Sequence, residues 1–211
     1  MHARAPLVLF LTLLAASRAS ALPFAKGLTQ FARDAWQSDQ GLPRNDVGAL
    51  AQTSDGYLWI GTEEGLARFD GARFVVFDRR NTPALADHDI RALFAARDGT
   101  LWIGTRGGGL VSFKSGTFAR VTAAQGLGDD HVLAIAGDRD GSIWIGTDGG
   151  GLTHLANGAF TTLTTRDGLS GNRVARIAQD GAGDLWLGTL GGGLSRMSGS
   201  RVWEVDRKSV V

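Results

Sequence analysis

The chain has no cysteine among its 211 residues. That excludes disulfides, thiolate zinc sites and a cysteine nucleophile. Nor is there an excess of either charge: 22 Lys and Arg face 21 Asp and Glu, for a formal net charge of +1. A phosphate-binding surface needs clustered basic residues. None is visible, so no nucleic acid partner is expected. Past the N-terminal region no apolar run is long enough to span a membrane. No Ser-His-Asp arrangement can be picked out. Gly107-Gly108-Gly109 sits between strand-like runs rather than ahead of a helix, so it lacks the macrodipole that phosphate binding uses.

The N-terminus carries the one long apolar run. Met1-His2-Ala3-Arg4 is a short basic start, Ala5 to Ala16 is almost wholly apolar, and Ala19-Ser20-Ala21 has the small-x-small pattern of a signal peptidase site. Residues 1–21 are therefore expected to be a cleaved export signal, and the remainder to be periplasmic.

What the chain has in abundance is glycine, 31 residues, placed at regular positions. The stretch Asp55-Gly56-Tyr57-Leu58-Trp59-Ile60-Gly61-Thr62 returns around Trp102, Trp144 and, with weaker opening letters, Trp186. A period of about forty residues filled with short strand-like runs is the mark of a propeller blade. In the first repeat the runs are Val47 to Gln52, Tyr57 to Thr62, Leu66 to Phe69 and Arg73 to Phe77, strands a to d. The pairs Asp-Gly, Ser-Gly and Asn-Gly between them are hairpin turn residues. The fold class is all-β. Four blades are expected, at about 45–78, 88–122, 130–164 and 172–205. The tryptophans are expected to fill the core between blades.

Phe31 to Trp36 precedes Gly41-Leu42 as Phe118 to Ala123 precedes Gly126-Leu127. Residues 29–37 thus read as a spare strand d that closes a ring, within a propeller region spanning 29–205. Four a–b–c sets against five d strands predict an incomplete ring, further C-terminal blades beyond the truncated tail 206–211, and association of a sheet array left open at both ends.

The run Gln40-Gly41-Leu42-Pro43-Arg44-Asn45-Asp46-Val47, followed by the first Trp stretch, Glu63-Glu64-Gly65-Leu66 and Arg68-Phe69-Asp70-Gly71, resembles the opening blade of the two-component regulator propellers. The resemblance covers essentially residues 29–205. It implies a seven-bladed ring and a periplasmic sensor region of a receptor. The receptor's membrane-anchored output domain would be a histidine kinase or diguanylate cyclase outside this sequence. It implies no catalysis by these residues and no cofactor. Two other readings are a secreted propeller enzyme resembling the streptogramin lyases and a lectin-like propeller.

In a meander the a–b and c–d turns share one face, while the b–c turns and d–a connections share the other. The first face is repetitive; the second varies from repeat to repeat. Variable loops on a fixed scaffold carry specificity. The expected contact residues for a small molecule or oligosaccharide are therefore Arg44, Asn45, Glu63, Glu64, His88, Arg106, Asp130, His131, Asp148, Asn172 and Arg173. His88 and His131 occupy corresponding loops, and two imidazoles are too small a donor set to assign a metal.

Overall fold

Each Trp repeat folds as one four-stranded antiparallel sheet, because four short runs separated by glycine turns can pair only with their sequence neighbours. The computed structural model describes residues 34–205. Blade 1 contains β1 (Val47–Gln52), β2 (Leu58–Thr62), β3 (Gly65–Phe69) and β4 (Phe74–Phe77). Blade 2 contains β5 (Ile90–Ala95), β6 (Leu101–Thr105), β7 (Leu110–Lys114) and β8 (Thr117–Val121). Blade 3 contains β9 (Val132–Gly137), β10 (Ile143–Thr147), β11 (Leu152–Ala156) and β12 (Ala159–Leu163). Blade 4 contains β13 (Val174–Gln179), β14 (Leu185–Thr189), β15 (Gly193–Ser198) and β16 (Arg201–Glu204). Every sheet keeps its strands in chain order. The second, third and fourth runs of blade 1 differ from expectation by one residue at their starts.

All of these strands lie in the unit that begins at Trp36. The expected export signal, the tail and residues 29–33 of the closing strand lie outside the described residues. Asp34–Gln37 carry no strand.

The inner strands follow one another as β1, β5, β9 and β13, each beside the next. No comparable contact joins β13 back to β1. Cores form between blades. Trp59 packs with Leu85, Ile90, Leu101, Ile103 and Val111, and its ring centroid is 5.0 Å from that of Phe113. Trp102 packs among Val132, Ile143 and Ile145, and Trp144 among Leu169, Val174, Leu185 and Leu187. The fourth tryptophan differs. Trp186 is half-buried, and the Arg196 guanidinium lies over its face, 5.5 Å from the ring.

Three of the four repeat indoles also find an acceptor for their N–H, as buried polar groups should. Trp59 donates to Thr53 Oγ1, Trp144 to Asp138 Oδ2 and Trp186 to Asp180 Oδ2, each at 2.9–3.0 Å. Trp102 shows no such bond among the described residues; Ala96 stands at the corresponding place.

The d–a connections are one motif. At Ser38–Gln40, Ala123–Gln125 and Thr165–Asp167 a single 3-10 turn ends in Gly41, Gly126 or Gly168, all at φ near +105°. That left-handed geometry favours glycine. The following Leu42, Leu127 and Leu169 are buried. The connection into blade 2 carries Asn81-Thr82-Pro83 in place of such a Gly-Leu pair. It loses the glycine but keeps the leucine: Leu85 is completely buried in the same role.

Candidate functional site

The b–c turns are built to hold their variable residues still. The Thr62, Thr105, Thr147 and Thr189 hydroxyls donate to the carbonyls of Gly65, Gly109, Gly151 and Gly193 at 2.9–3.0 Å. The next residue is then tied to the start of the same blade. Arg106 N–H donates to Asp89 O at 3.0 Å, Asp148 N–H to His131 O at 2.9 Å and Leu190 N–H to Arg173 O at 2.8 Å. Each blade also has a β-bulge at the start of its inner strand. In blade 2 the bulged residue is Arg91. Bulges re-aim side chains, and the Arg91 guanidinium reaches Asp89 Oδ2 at 2.6 Å and Glu63 Oε1 at 3.7 Å.

The result is a rim whose charges alternate across the blades. Glu63 of blade 1 meets Arg91, Arg91 meets Asp89, and Asp89 Oδ2 is 3.4 Å from Arg106. Beyond Arg106, His131 Nδ1 lies 4.0 Å from Asp148 Oδ2, and Asp148 accepts from Arg173 Nε across the joint to blade 4. The Arg173 bond holds the Asp148 carboxyl below the ordinary carboxylate range. Asp89 Oδ1 is buried and accepts no hydrogen bond from the described residues. Its guanidinium neighbours engage only the other oxygen.

Five of the predicted residues therefore share this rim: Glu63, Arg106, His131, Asp148 and Arg173. Arg44, Glu64 and His88 form a separate group. Arg44 Nη1 donates to Glu64 Oε1 at 2.5 Å and Arg44 Nε to Asp46 at 3.3 Å. Glu64 and His88 line a shallow hollow of about 320 Å³ with Asp78, Arg79 and Arg80. Asn45, Asp130 and Asn172 serve the scaffold instead. Their side-chain oxygens accept from Ser38, Ala123 and Thr165 N–H at 2.7–2.8 Å, closing the connecting loops. The carbonyls of Asp130 and Asn172 also accept from Gly109 and Gly151 of the preceding blades.

Sequence reasoning omitted Asp89 and Arg91 from the contact residues. Arg91 had a signal: it is a charge at a position filled by Gly48, Leu133 and Ala175 in the other repeats.

The opposite face has a hollow of about 360 Å³ between blades 2 and 3, lined by Phe94, Asp138, Arg139, Ser142 and Gln179 among others. Its polar groups are already engaged. Asp138 accepts from Trp144 and Gln179, and Arg139 donates to Gly181 O at 2.7 Å. Ser142, His154 and Asp140 do come together here, contrary to expectation, but in the wrong order for catalysis. Ser142 Oγ donates to Asp140 at 2.6 Å, so at 2.8 Å the His154 Nε2 must donate to Ser142. A nucleophile needs that imidazole as its base. The rim, with ionic groups from every blade but the last turn, is the better candidate.

Comparisons with known proteins agree with the architecture. The model of a family described as "Two component regulator propeller" matches residues 41–64, 84–107, 126–149 and 168–191. No curated protein matches the chain. Among solved structures, it is similar to the extracellular domain described as that of a hybrid two component system from B. thetaiotaomicron, with 24% identity and a TM-score of 0.75 over 82% of this chain and 26% of that one. A second extracellular domain from the same organism, described as that of a one component system, gives 20% identity and a TM-score of 0.68 over 83% and 27%. Virginiamycin B lyase from Staphylococcus aureus gives 14% identity and 0.58 over 78% and 56%. The chain thus spans about a quarter of the length of the two extracellular domains. At these identities the likenesses establish the fold.

Proposed function

Because this chain belongs to the two component regulator propeller family, we propose that it is the ligand-sensing region of an exported signal-transduction receptor, contacting its ligand through the rim of b–c turns and d–a connections. The observation that carries this reading is a contrast within the b–c turns. Thr-to-Gly hydrogen bonds repeat in every blade, while the residue just past each threonine is Glu63, Arg106, Asp148 or Leu190. Exposed ion pairs contribute only about 0–1 kcal/mol each to stability, so their variation does not serve the fold. In the receptor the signal would pass to a membrane-anchored output domain, with the propeller on the periplasmic side.

A rim of alternating sign offers donors and acceptors side by side without selecting an anion or a cation. That suits a polar, uncharged ligand that both donates and accepts, as the hydroxyls of a sugar oligomer do. The test is a thermal-shift screen of the chain against oligosaccharides. A ligand at a hundred times its Kd should stabilise by about 2.7 kcal/mol. Arg106→Glu should keep the unliganded melting temperature and lose the shift. A shift that survives in Arg106→Glu and Arg173→Glu alike rules out the rim as the contact surface.

A second reading, a propeller enzyme, draws on the fold likeness to virginiamycin B lyase and on the approach of His131 to Asp148. Turnover of a streptogramin that His131→Ala abolishes would favour it over sensing.

A further inference from the structure

The face opposite the rim repeats from blade to blade, and blade 2 breaks the repeat around its tryptophan. In blades 1, 3 and 4 the residue six places before the tryptophan accepts its indole N–H, as Thr53, Asp138 and Asp180. Blade 2 has Ala96 there, whose side chain has no acceptor. Across the sheet, Trp59, Trp144 and Trp186 pair with Arg68, His154 and Arg196. Those side chains lie against the indoles: the Arg68 and Arg196 guanidinium groups are 5.8 and 5.5 Å from the rings, and the His154 ring is stacked at 3.9 Å. Trp102 pairs with Ser112, which is too short to cover an indole. From the next blade, the Phe113 ring reaches Trp59 at 5.0 Å, whereas Leu155 holds that register opposite Trp102.

Three positions thus leave one indole without its acceptor, its cover and its facing ring. Trp102 is half-buried, while Trp59 and Trp144 are buried. A hollow of about 340 Å³ opens beside Trp102, lined also by Asp140, Ser142, Ile143, Leu155 and Asn157. It adjoins the hollow that Phe94 and Ala96 line, since Gly141 and Ser142 border both. Both bonds from Ser142 to Asp140 fall on Oδ1, so Asp140 Oδ2 has no hydrogen bond among the described residues. Blades 1 and 4 flank this joint within the chain, so the exposure of Trp102 does not arise at an open end of the array.

We propose that this hollow between blades 2 and 3 is a binding site for one uncharged pyranose ring, with Trp102 as its platform. The lining has an apolar side, Trp102, Ile143 and Leu155, and a polar side, Asp140, Ser142 and Asn157. A pyranose has the same two characters, a face of C–H groups to lie on the indole and hydroxyls around its edge. An edge oxygen accepts from the indole N–H, and a hydroxyl donates to Asp140 Oδ2. The free carboxylate oxygen selects against an anionic sugar. The volume is at the low end of ligand pockets, roughly 300–1,000 Å³, which suits a single ring. The assignment is argued from this lining alone and does not rest on the reading of the rim.

Proton–nitrogen correlation NMR of the full chain tests this, with methyl β-glucoside and methyl β-galactoside as probes. The Trp102 indole signal, identified by its loss in Trp102→Phe, should shift and saturate with at least one of them. Two substitutions restore what other blades have and should close the site without harming the fold. Ala96→Asp supplies the missing acceptor, and Leu155→Phe supplies the missing ring. Each should raise the glycoside Kd by about tenfold, the order expected for one lost hydrogen bond, read from the Asn157 side-chain amide. The urea midpoint of each should equal or exceed that of the unaltered chain, which separates lost binding from lost folding. Three results would overturn the proposal. One is a Trp102 signal that neither glycoside moves. Another is an affinity unchanged in either restoring variant. The third is binding lost in Arg106→Glu but kept in Ala96→Asp, which would put the glycoside on the rim instead.

Discussion

The joint between blades makes a quantitative prediction about one methyl group placed at two equivalent sites. In Gly104→Ala the new Cβ would sit 2.5 Å from Val132 Cγ1, 2.9 Å from Val132 Cβ and 3.2 Å from Ala92 Cβ. Optimal carbon contacts are about 3.5–4.0 Å, and Val132 is fully buried with no direction in which to yield. Overpacking of this kind costs about 1–3 kcal/mol, and three contacts inside that distance point to the upper end. At about 3 kcal/mol the melting temperature falls by roughly 6–12 °C for a domain of this size. In Gly188→Ala the same methyl meets one atom at an ordinary 3.5 Å. There it restricts the unfolded chain and should be neutral or stabilise by about 0.4–1 kcal/mol. Neither glycine has positive φ, so backbone strain does not enter. The two variants are compared by urea and thermal unfolding. Gly104→Ala should fall below its parent while Gly188→Ala matches or exceeds it. Equal losses at the two sites would refute close packing of the next blade's first inner residue against this glycine as what holds neighbouring blades together.

Two further outcomes follow from the turn carboxylates. Trp144 donates to the Asp138 carboxylate and Trp102 to nothing among the described residues, and hydrogen bonds to charged groups contribute about 1.5–3 kcal/mol; Trp144→Phe should therefore cost about 2 kcal/mol more than Trp102→Phe in urea midpoints, and equal costs would show that the indole bond adds nothing. Folding also lowers several carboxyl pKa values from 3.8: Arg173 does so at Asp148 and the Trp186 indole at Asp180, while at Asp138 burial pushes upward but is outweighed by Trp144, Gln179 and the Arg139 N–H. A carboxyl lowered on folding adds stability above its unfolded value, and that stability is lost as pH falls through the folded value. The urea midpoint should hold between pH 7 and 5 and drop below about pH 4, with a smaller drop in Asp148→Asn; a midpoint that stays level to pH 2 would contradict the assignment.

The blades were legible because the repeat is loud where backbone geometry is constrained. Gly61, Gly104 and Gly146 recur since a neighbouring side chain fills the space of a Cβ, and the tryptophans recur since each joint needs one large filler. The limits of the reading are of the opposite kind. Asn45, Asp130 and Asn172 looked like variable polar loop residues, but Asn and Asp both offer an oxygen at the same reach, and the loop asks only for that oxygen. Variation among residues with one shared acceptor is thus accounted for by the loop alone. Arg91 failed in the other direction. Its register in a strand marks it as a framework position; the bulge turns it to the rim, and its one trace in the sequence is a charge where the other repeats have Gly48, Leu133 and Ala175. Leu85 shows the same separation in the loop into blade 2: burial selects the leucine, while the glycine before it follows from the 3-10 turn, so a different turn drops the one and keeps the other. A repeat therefore separates scaffold from site only when each position is compared by the chemical demand it meets, not by letter. By that standard the positions after the rim threonines, where two carboxylates (Glu63, Asp148), a guanidinium (Arg106) and an apolar side chain (Leu190) meet no single demand of the turn, are where the proposed contact surface is placed.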